Sequence, residues 1–423
     1  MSGIAAQTVP DHSTGARHWS IGLRIAFRLI SLYLIVYTAL NVAYRYPIAQ
    51  IVSGLYMPRW REFWLWATVH IFHITGPAAT YVPTPSGDTA LQYVQQAMFL
   101  AIALVGTVVW SILDRRRTEY HELHSWVRVL VRYALALILF SYGFSKLFPQ
   151  QYGPLSFARL MEPYGEFSPM GALWSFMSAS RPYAVFAGTI EVTGAALLLF
   201  RRTSTLGAVV STAAMTNVVA LNFSYDVPVK LYSTNILLMA MFLLVPDLRR
   251  LANVLVFNRP TTAADLSGAR FKRPWARIAA TICWVVFVSY SLEEQLARNV
   301  VEYRLLYMNP DRPPLLGLYQ VETDYQNWRA VALDDPRALP ATVNRAPMTV
   351  RTTDGAVLHF ATTWKANQLI LNEKDVWTWS KPDSDHVVLQ TGSDTIRLHK
   401  VDITKFPLLS RGFHWINETA FNY

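Results

Sequence analysis

Residues 221–251 read LNFSYDVPVKLYSTNILLMAMFLLVPDLRRL. One apolar segment ends here in a knot of polar side chains (Asn222, Tyr225, Asp226, Lys230), and a second begins within a few residues. A short turn between two membrane-spanning helices needs little chemistry. This one carries an acid, a base, an amide and a proline, so it reads as one wall of a site at a membrane surface. The apolar runs on either side decide the fold class. About 20 consecutive apolar residues span the hydrocarbon core of a bilayer, and 52% of this chain is hydrophobic against 16% charged.

Working outward, the pattern predicts an α-helical polytopic membrane protein of about seven spans with a small C-terminal antiparallel β domain. The spans are expected at residues 21–44, 89–113, 125–148, 183–200, 206–223, 231–245 and 276–292. Residues 1–20 form a polar, disordered tail. Arg24 and Arg28 precede the first apolar run as in a signal anchor, and no small-x-small cleavage site follows, so that helix is read as retained. Pro47 and Pro58 are expected to break the next stretch. Residues 62–74 (EFWLWATVHIFHI) are apolar but short and tryptophan-rich, which favours an interfacial or re-entrant helix. Ser86 or Asp88 is expected to cap the second span. The expected division is an N-terminal membrane region 21–124, a four-helix bundle 125–251, a basic loop 252–275, a last helix 276–292 and a β-rich domain 293–423.

The net charge of +10 is uneven. From Val300 onward there are 13 Lys/Arg and 14 Asp/Glu, which leaves 25 against 14 in the first 299 residues. The basic excess therefore belongs to the membrane half, where it matches the positive-inside bias and contact with anionic lipid. Nucleic-acid binding would need a basic, groove-reading soluble face, and none stands out. Arginine clusters follow the second, fourth and sixth spans. Placed in the cytoplasm of a cell whose inner membrane holds the chain, they put the N-terminus inside and the C-terminal domain extracytoplasmic. The single cysteine, Cys283, excludes an intramolecular disulfide, a CxxC pair and a thiolate metal cluster, and is expected to be a small buried hydrophobe.

The tail alternates apolar and polar residues between turn signals. Residues 349–353 and 356–363 flank Asp354-Gly355, a strong hairpin signal. Residues 375–380, 386–390 and 395–401 follow as strands. The expected domain is sandwich-like or a partial barrel, and Trp377, Trp379 and Trp415 are candidates for its exposed surface.

Several polar groups fall on one side of the membrane in this topology: Lys146, the Arg159, Glu162, Tyr164 and Glu166 loop, Asp226, Lys230 and Asp88. Glu191 lies about nine residues into the fourth span, roughly 13 Å deep. An ionised carboxylate there costs at least about 2.5 kcal/mol, so it must be protonated, paired or beside a water-filled cavity. Gly188 and Gly194 flank it and would let a helix or ligand approach closely. Its partner would be Asn217 or Lys146, while Asn222 would join the Asp226 group. Two histidine pairs, His70/His73 and His121/His124, have no second acid–histidine set nearby and read as interface histidines, so no metal site is expected. There is no Walker A loop, no GxGxxG after a strand and no GxSxG elbow.

The stretch YALALILFSYGFSKLF, then FAGTIEVTGAALLLFRRTSTLGAVV and the DVPVKL turn, resembles the DoxX/DoxD-like membrane superfamily over about residues 132–251. The Gly-x-x-Lys-Leu ending of its first bundle helix is matched by Gly143, Lys146 and Leu147, and its mid-helix Glu followed by small residues by Glu191 and Gly194. The resemblance implies a four-helix bundle. Relatives include subunits of quinone-reducing sulfur oxidoreductases, proteins that assist maturation of periplasmic proteins, and a eukaryotic cargo receptor, so fold is implied better than function. The resulting expectation is a membrane redox-associated or small-ligand-binding subunit, its ligand a quinone or lipid; no cofactor is evident in the sequence, and a quinone is the candidate. Glu191 and Lys146 are its catalytic candidates. Asn217, Asn222, Asp226, Lys230, Arg159 and Tyr164 are its ligand-binding candidates. The alternative is a non-enzymatic envelope assembly protein whose β domain holds a periplasmic or extracellular protein partner.

Overall fold

The computed structural model describes residues 18–42, 47–81, 86–264, 271, 273–308, 312–337 and 347–415. Among the described residues, seven helices are long and apolar enough to cross a membrane: Ile21–Val42, Ala90–Leu113, His121–Leu147, Arg181–Leu199, Ser204–Ser224, Lys230–Leu255 and Pro274–Tyr307. With a C-terminal antiparallel sheet beside them, the chain is a multi-pass membrane protein carrying a β domain. It divides into two compact units, one of Met1–Tyr81, Thr89–Leu135 and Met239–Ile282, the other of Val82–Asp88, Ala136–Leu238 and Cys283–Tyr423.

The first unit is built around α1 (Ile21–Tyr37, continued by a π-helical turn Thr38–Val42), α2 (Pro47–His70) and α3 (Ala90–Leu113). Ser20 caps α1 by accepting from the Leu23 amide. Arg28 is not a flanking surface charge. It is buried, donates to the Tyr120 hydroxyl, Ser111 Oγ and the Asp114 carbonyl, and so spends its donors inside the unit. The segment expected to start at residue 62 is part of a 24-residue helix that runs through Pro58. Pro47 sits at the first helical position, where a missing N–H costs nothing. Beyond Pro58, Trp60, Trp64 and Ala67 pack on Leu91, Val94 and Met98 of α3, which offsets the lost backbone bond. The cap of α3 is neither Ser86 nor Asp88 but Thr89, in a reciprocal capping box with Gln92.

The second unit takes in the C-terminal part of α4 (His121–Leu147), the short helices α5 (Phe157–Leu160) and α6 (Pro169–Ala179), then α7 (Arg181–Leu199), α8 (Ser204–Ser224) and the start of α9 (Lys230–Leu244). α9 runs on through a 3-10 turn into α10 (Leu248–Leu255) in the first unit. A Cβ on Gly207 would come within 2.8 Å of the Leu198 amide nitrogen, and one on Gly194 within 2.9 Å of Ser211 Oγ. Small residues thus let α7 and α8 lie backbone to backbone.

α11 (Pro274–Tyr307) has 34 residues, about 51 Å of helix. It continues 15 residues beyond the expected end at 292, because residues 293–307 are good helix formers without glycine or proline. The β domain accordingly begins near Gly317 rather than at 293. Cys283 is exposed on α11, not buried.

Nine strands form one antiparallel sheet: β1 Gly317–Val321, β2 Trp328–Leu333, β3 Met348–Thr352, β4 Val357–Phe360, β5 Thr362–Lys365, β6 Gln368–Leu371, β7 Asp375–Ser380, β8 His386–Thr391 and β9 Asp394–Lys400. Their order is β4-β3-β2-β1-β9-β8-β7-β6-β5. The expected Asp354-Gly355 hairpin joins β3 to β4, with Gly355 at φ 89°. The single strand expected over 356–363 is two, broken at Ala361. Its first half pairs with β3 and its second with β6, so the two ends of the sheet are sequence neighbours. All nine strands share one interior, in which Trp328 and Trp377 stack with centroids 5.7 Å apart and an interplanar angle of 3°. Trp377 is therefore core, not surface, and Trp379 packs partly buried beside it; of the three tryptophans proposed for the surface, only Trp415 is exposed.

Candidate functional site

Within the second unit, α4 and α7 touch through two glycines. A Cβ on Gly143 would meet Val192 Cγ2 at 2.6 Å and the Gly188 carbonyl at 3.0 Å; one on Gly188 would meet the Gly143 carbonyl at 2.8 Å and Lys146 Cβ at 2.9 Å. Each glycine precedes a charged residue by three positions. Helical side chains lean back toward their own N-terminus. On two helices of opposite direction, Lys146 and Glu191 therefore lean toward each other across the glycine contact.

They meet there: Lys146 Nζ lies 2.8 Å from Glu191 Oε2, with side-chain exposures of 7% and 5%. Nζ also donates to the Tyr142 carbonyl at 3.4 Å. Of the two partners open to Glu191, the lysine is the one it takes. In a low-dielectric interior such a pair roughly balances its desolvation when intact and is costly when broken.

Two features frame the pair. Arg181 donates to the carbonyls of Lys146 and Leu147, closing the C-terminal end of α4 with a cation. Tyr152 is packed with Leu173, Met177 and Val227 in an apolar cluster that also takes in Trp174 and Ala187. Burial, and secondly the charge of Glu191, push its phenol well above the usual tyrosine range. Tyr152 and Arg181 were not singled out from sequence. Tyr152 gives no signal there. Arg181 does: a cation in the first turn of a helix opposes the macrodipole unless it is engaged elsewhere.

The other expected site residues do not join this pair. Asn222 is buried and donates to Ser233 Oγ at 3.0 Å, tying α8 to α9. Lys230 pairs with Asp226 at 2.7 Å and approaches Asp88 at 3.8 Å. Arg159 is held by Glu162 at 2.7 Å, with its guanidinium 4.3 Å from the Phe167 ring centroid, so it serves the loop. Tyr164 is 80% exposed. Asn217 is exposed on α8 and does not reach Glu191. Glu166 makes a bidentate pair with Arg351 of β3, and those hydrogen bonds hold its carboxyl below the usual range. The expected rim is thus four separate arrangements rather than one convergent cluster.

Asp88 has a different task from the one expected. Its carboxylate accepts from the amides of Lys230 at 2.8 Å and Leu231 at 3.0 Å, capping α9 from a distant loop. Asp88→Ala should cost about 0.5–2 kcal/mol, read as a lower melting temperature in detergent, and Asp88→Asn should recover most of it. An unchanged Asp88→Ala melting temperature would refute the cap.

In the first unit, the histidines take structural contacts. His70 Nδ1 lies 2.9 Å from the Trp66 carbonyl, and His121 Nε2 accepts from Trp19 Nε1 at 3.3 Å. A polar concavity of about 460 Å³ is lined by Arg116, Arg117, Thr118, Glu119, His121 and Glu122. Its charges compensate internally, two arginines against two glutamates.

Among known proteins, the uncharacterized protein YwoB of Bacillus subtilis (strain 168) is 32% identical to this chain over 123 residues, 78% of YwoB's length and 29% of this chain. The chain belongs to the YwoB family. No family profile matches it, and no solved structure does. YwoB's description names no activity, so the functional reading rests on the site.

Proposed function

We propose that this protein is a DoxX-like membrane subunit, redox-associated, that holds a small amphipathic ligand, a quinone or a lipid, at the Lys146–Glu191 pair. One observation carries the reading: a lysine and a glutamate, both buried, lie 2.8 Å apart inside two membrane-spanning helices. A buried ion pair adds little stability over apolar residues of the same volume, and ionisable groups in spans mark functional sites by default. In this reading Lys146 donates to a ligand carbonyl or phosphate oxygen. Glu191 takes up or releases the proton that accompanies the change, and Tyr152 closes the pair off from water. The arginine clusters after the second, fourth and sixth spans support an N-terminus in the cytoplasm and an extracytoplasmic sheet, in the inner membrane of the cell.

The test uses the purified full chain and the double variant Lys146→Met/Glu191→Leu. Quinones and lipids extracted from each are quantified by mass spectrometry per mole of protein. The bound ligand should fall by at least about tenfold in the double variant, a loss of about 1.4 kcal/mol in binding. Equal amounts in both proteins would overturn the reading and favour a non-enzymatic envelope role.

A further inference from the structure

Among the described residues, the segment that follows the sheet presents large apolar side chains to the surface. After β9 the chain forms a 3-10 turn (Ile403–Lys405) and a short helix, α12 (Pro407–Ser410). Beyond them, Phe413 is 77% and Trp415 90% exposed, and Leu408 and Leu409 are exposed as well. The two rings meet edge to face with centroids 5.0 Å apart. Lys405 stands 82% exposed, 3.7 Å from the half-exposed Asp402 carboxylate, and Arg411 lies in sequence between the leucines and the aromatics.

Two anchors fix where this segment lies. Val401, Ile403 and Phe406 pack against Phe157, Ala158 and Met161, in the connection that leaves the membrane-spanning α4 at Leu147. The Asp334 carboxylate of the β domain accepts from the Phe157 and Ala158 amides at 2.7 and 3.1 Å, which holds the same connection. At the other entry, Arg312 folds back to donate to the carbonyls of Leu306 and Tyr307 at the end of α11. Only four residues then separate it from Gly317, five steps of chain or at most about 18 Å when extended. The segment from residue 403 to 415 therefore starts beside the ends of two spans.

We propose that residues 408–415 insert into the interfacial layer of the membrane this chain spans, with Phe413 and Trp415 among the lipid headgroups and Lys405 beside their phosphates. Tryptophan flanked by basic residues is the composition that interfaces select. The four exposed apolar side chains are too few for a protein partner, since a stable interface takes about 800 Å² from each side, whereas a bilayer accepts isolated anchors. The inference does not depend on the Lys146–Glu191 reading.

The test uses the full chain with Cys283→Ser, carrying a nitroxide on Phe413→Cys or, as a control on an exposed turn of the sheet, on Asp383→Cys. Both are placed in nanodiscs of zwitterionic lipid with or without phosphatidylglycerol. Oxygen partitions into lipid and a nickel chelate into water. The ratio of oxygen to nickel collisions should be severalfold higher at 413 than at 383, and higher still with phosphatidylglycerol. Equal ratios at the two positions would overturn the proposal. So would dipolar broadening at 413 that shows a second copy of the chain covering the segment. A nitroxide on Leu409→Cys gives a second reading: adding Trp415→Ser should shift it toward water, and no shift would count against Trp415 as the anchor.

Discussion

Lys146→Met alone and Glu191→Leu alone are each expected to cost about 3–5 kcal/mol, while the double variant should lie near the parent protein or above it. Each single substitution leaves a charge buried among α4, α7 and Tyr152 with no partner, in a segment where water cannot replace the lost one. The double substitution removes both charges and fills the space with apolar atoms. Unfolding free energies of the four proteins in one detergent, taken as a double-mutant cycle, give the coupling directly. Losses that simply add would mean that the two side chains do not act as a pair, and the proposed site would lose its basis.

Gly188→Ala should have the second largest effect, because the new methyl would meet backbone rather than a movable side chain. Its Cβ falls 2.8 Å from the Gly143 carbonyl oxygen and 2.9 Å from Lys146 Cβ, so α4 and α7 must separate. Overpacking of this kind costs about 1–3 kcal/mol, and the separation pulls Lys146 from Glu191 as well. Gly143→Ala should act in the same direction. Gly22→Ala and Gly54→Ala are the controls: both positions are helical with nothing within 4 Å, and should gain about 0.5–1 kcal/mol. Melting temperatures that fall equally at all four positions would show that the glycine contact is not special.

The spans were legible because a bilayer imposes one length on apolar runs, and, with the sixth taken as α9 to Leu244, six of the seven end within a few residues of where composition places them. The exception, α11, overran because nothing in residues 293–307 stops a helix and charge alone does not. Glu191 was legible as a residue in need of a partner. Choosing Lys146 over Asn217 was not, since α8 is apolar around most of its circumference and its rotation is set by glycine contacts with α7. Loop residues misled for a related reason. Arg159 and Glu166 look available in sequence, and only the fold reveals that Glu162 and Arg351 occupy them. In the sheet, β5 merged with β4 in the expected pattern and β6 escaped notice, because the β5–β6 turn uses Ala366 at φ 45°, a position without the usual glycine signal. Trp377 read as surface because the inward phase of β7 depends on a register that only its neighbours define.

The strand order has a consequence for how the β domain is made. Strands β1 to β4 form one local meander and β5 to β8 another, and each can pair as it leaves the ribosome. β9 lies between β1 and β8, so the first strand waits for the last. Until Asp394–Lys400 is synthesised, one edge of each meander stays open, and joining them is the non-local, slow step of assembly. A chain cut short before residue 394 would thus display two unpaired strand edges to quality control, however well its membrane helices had already inserted.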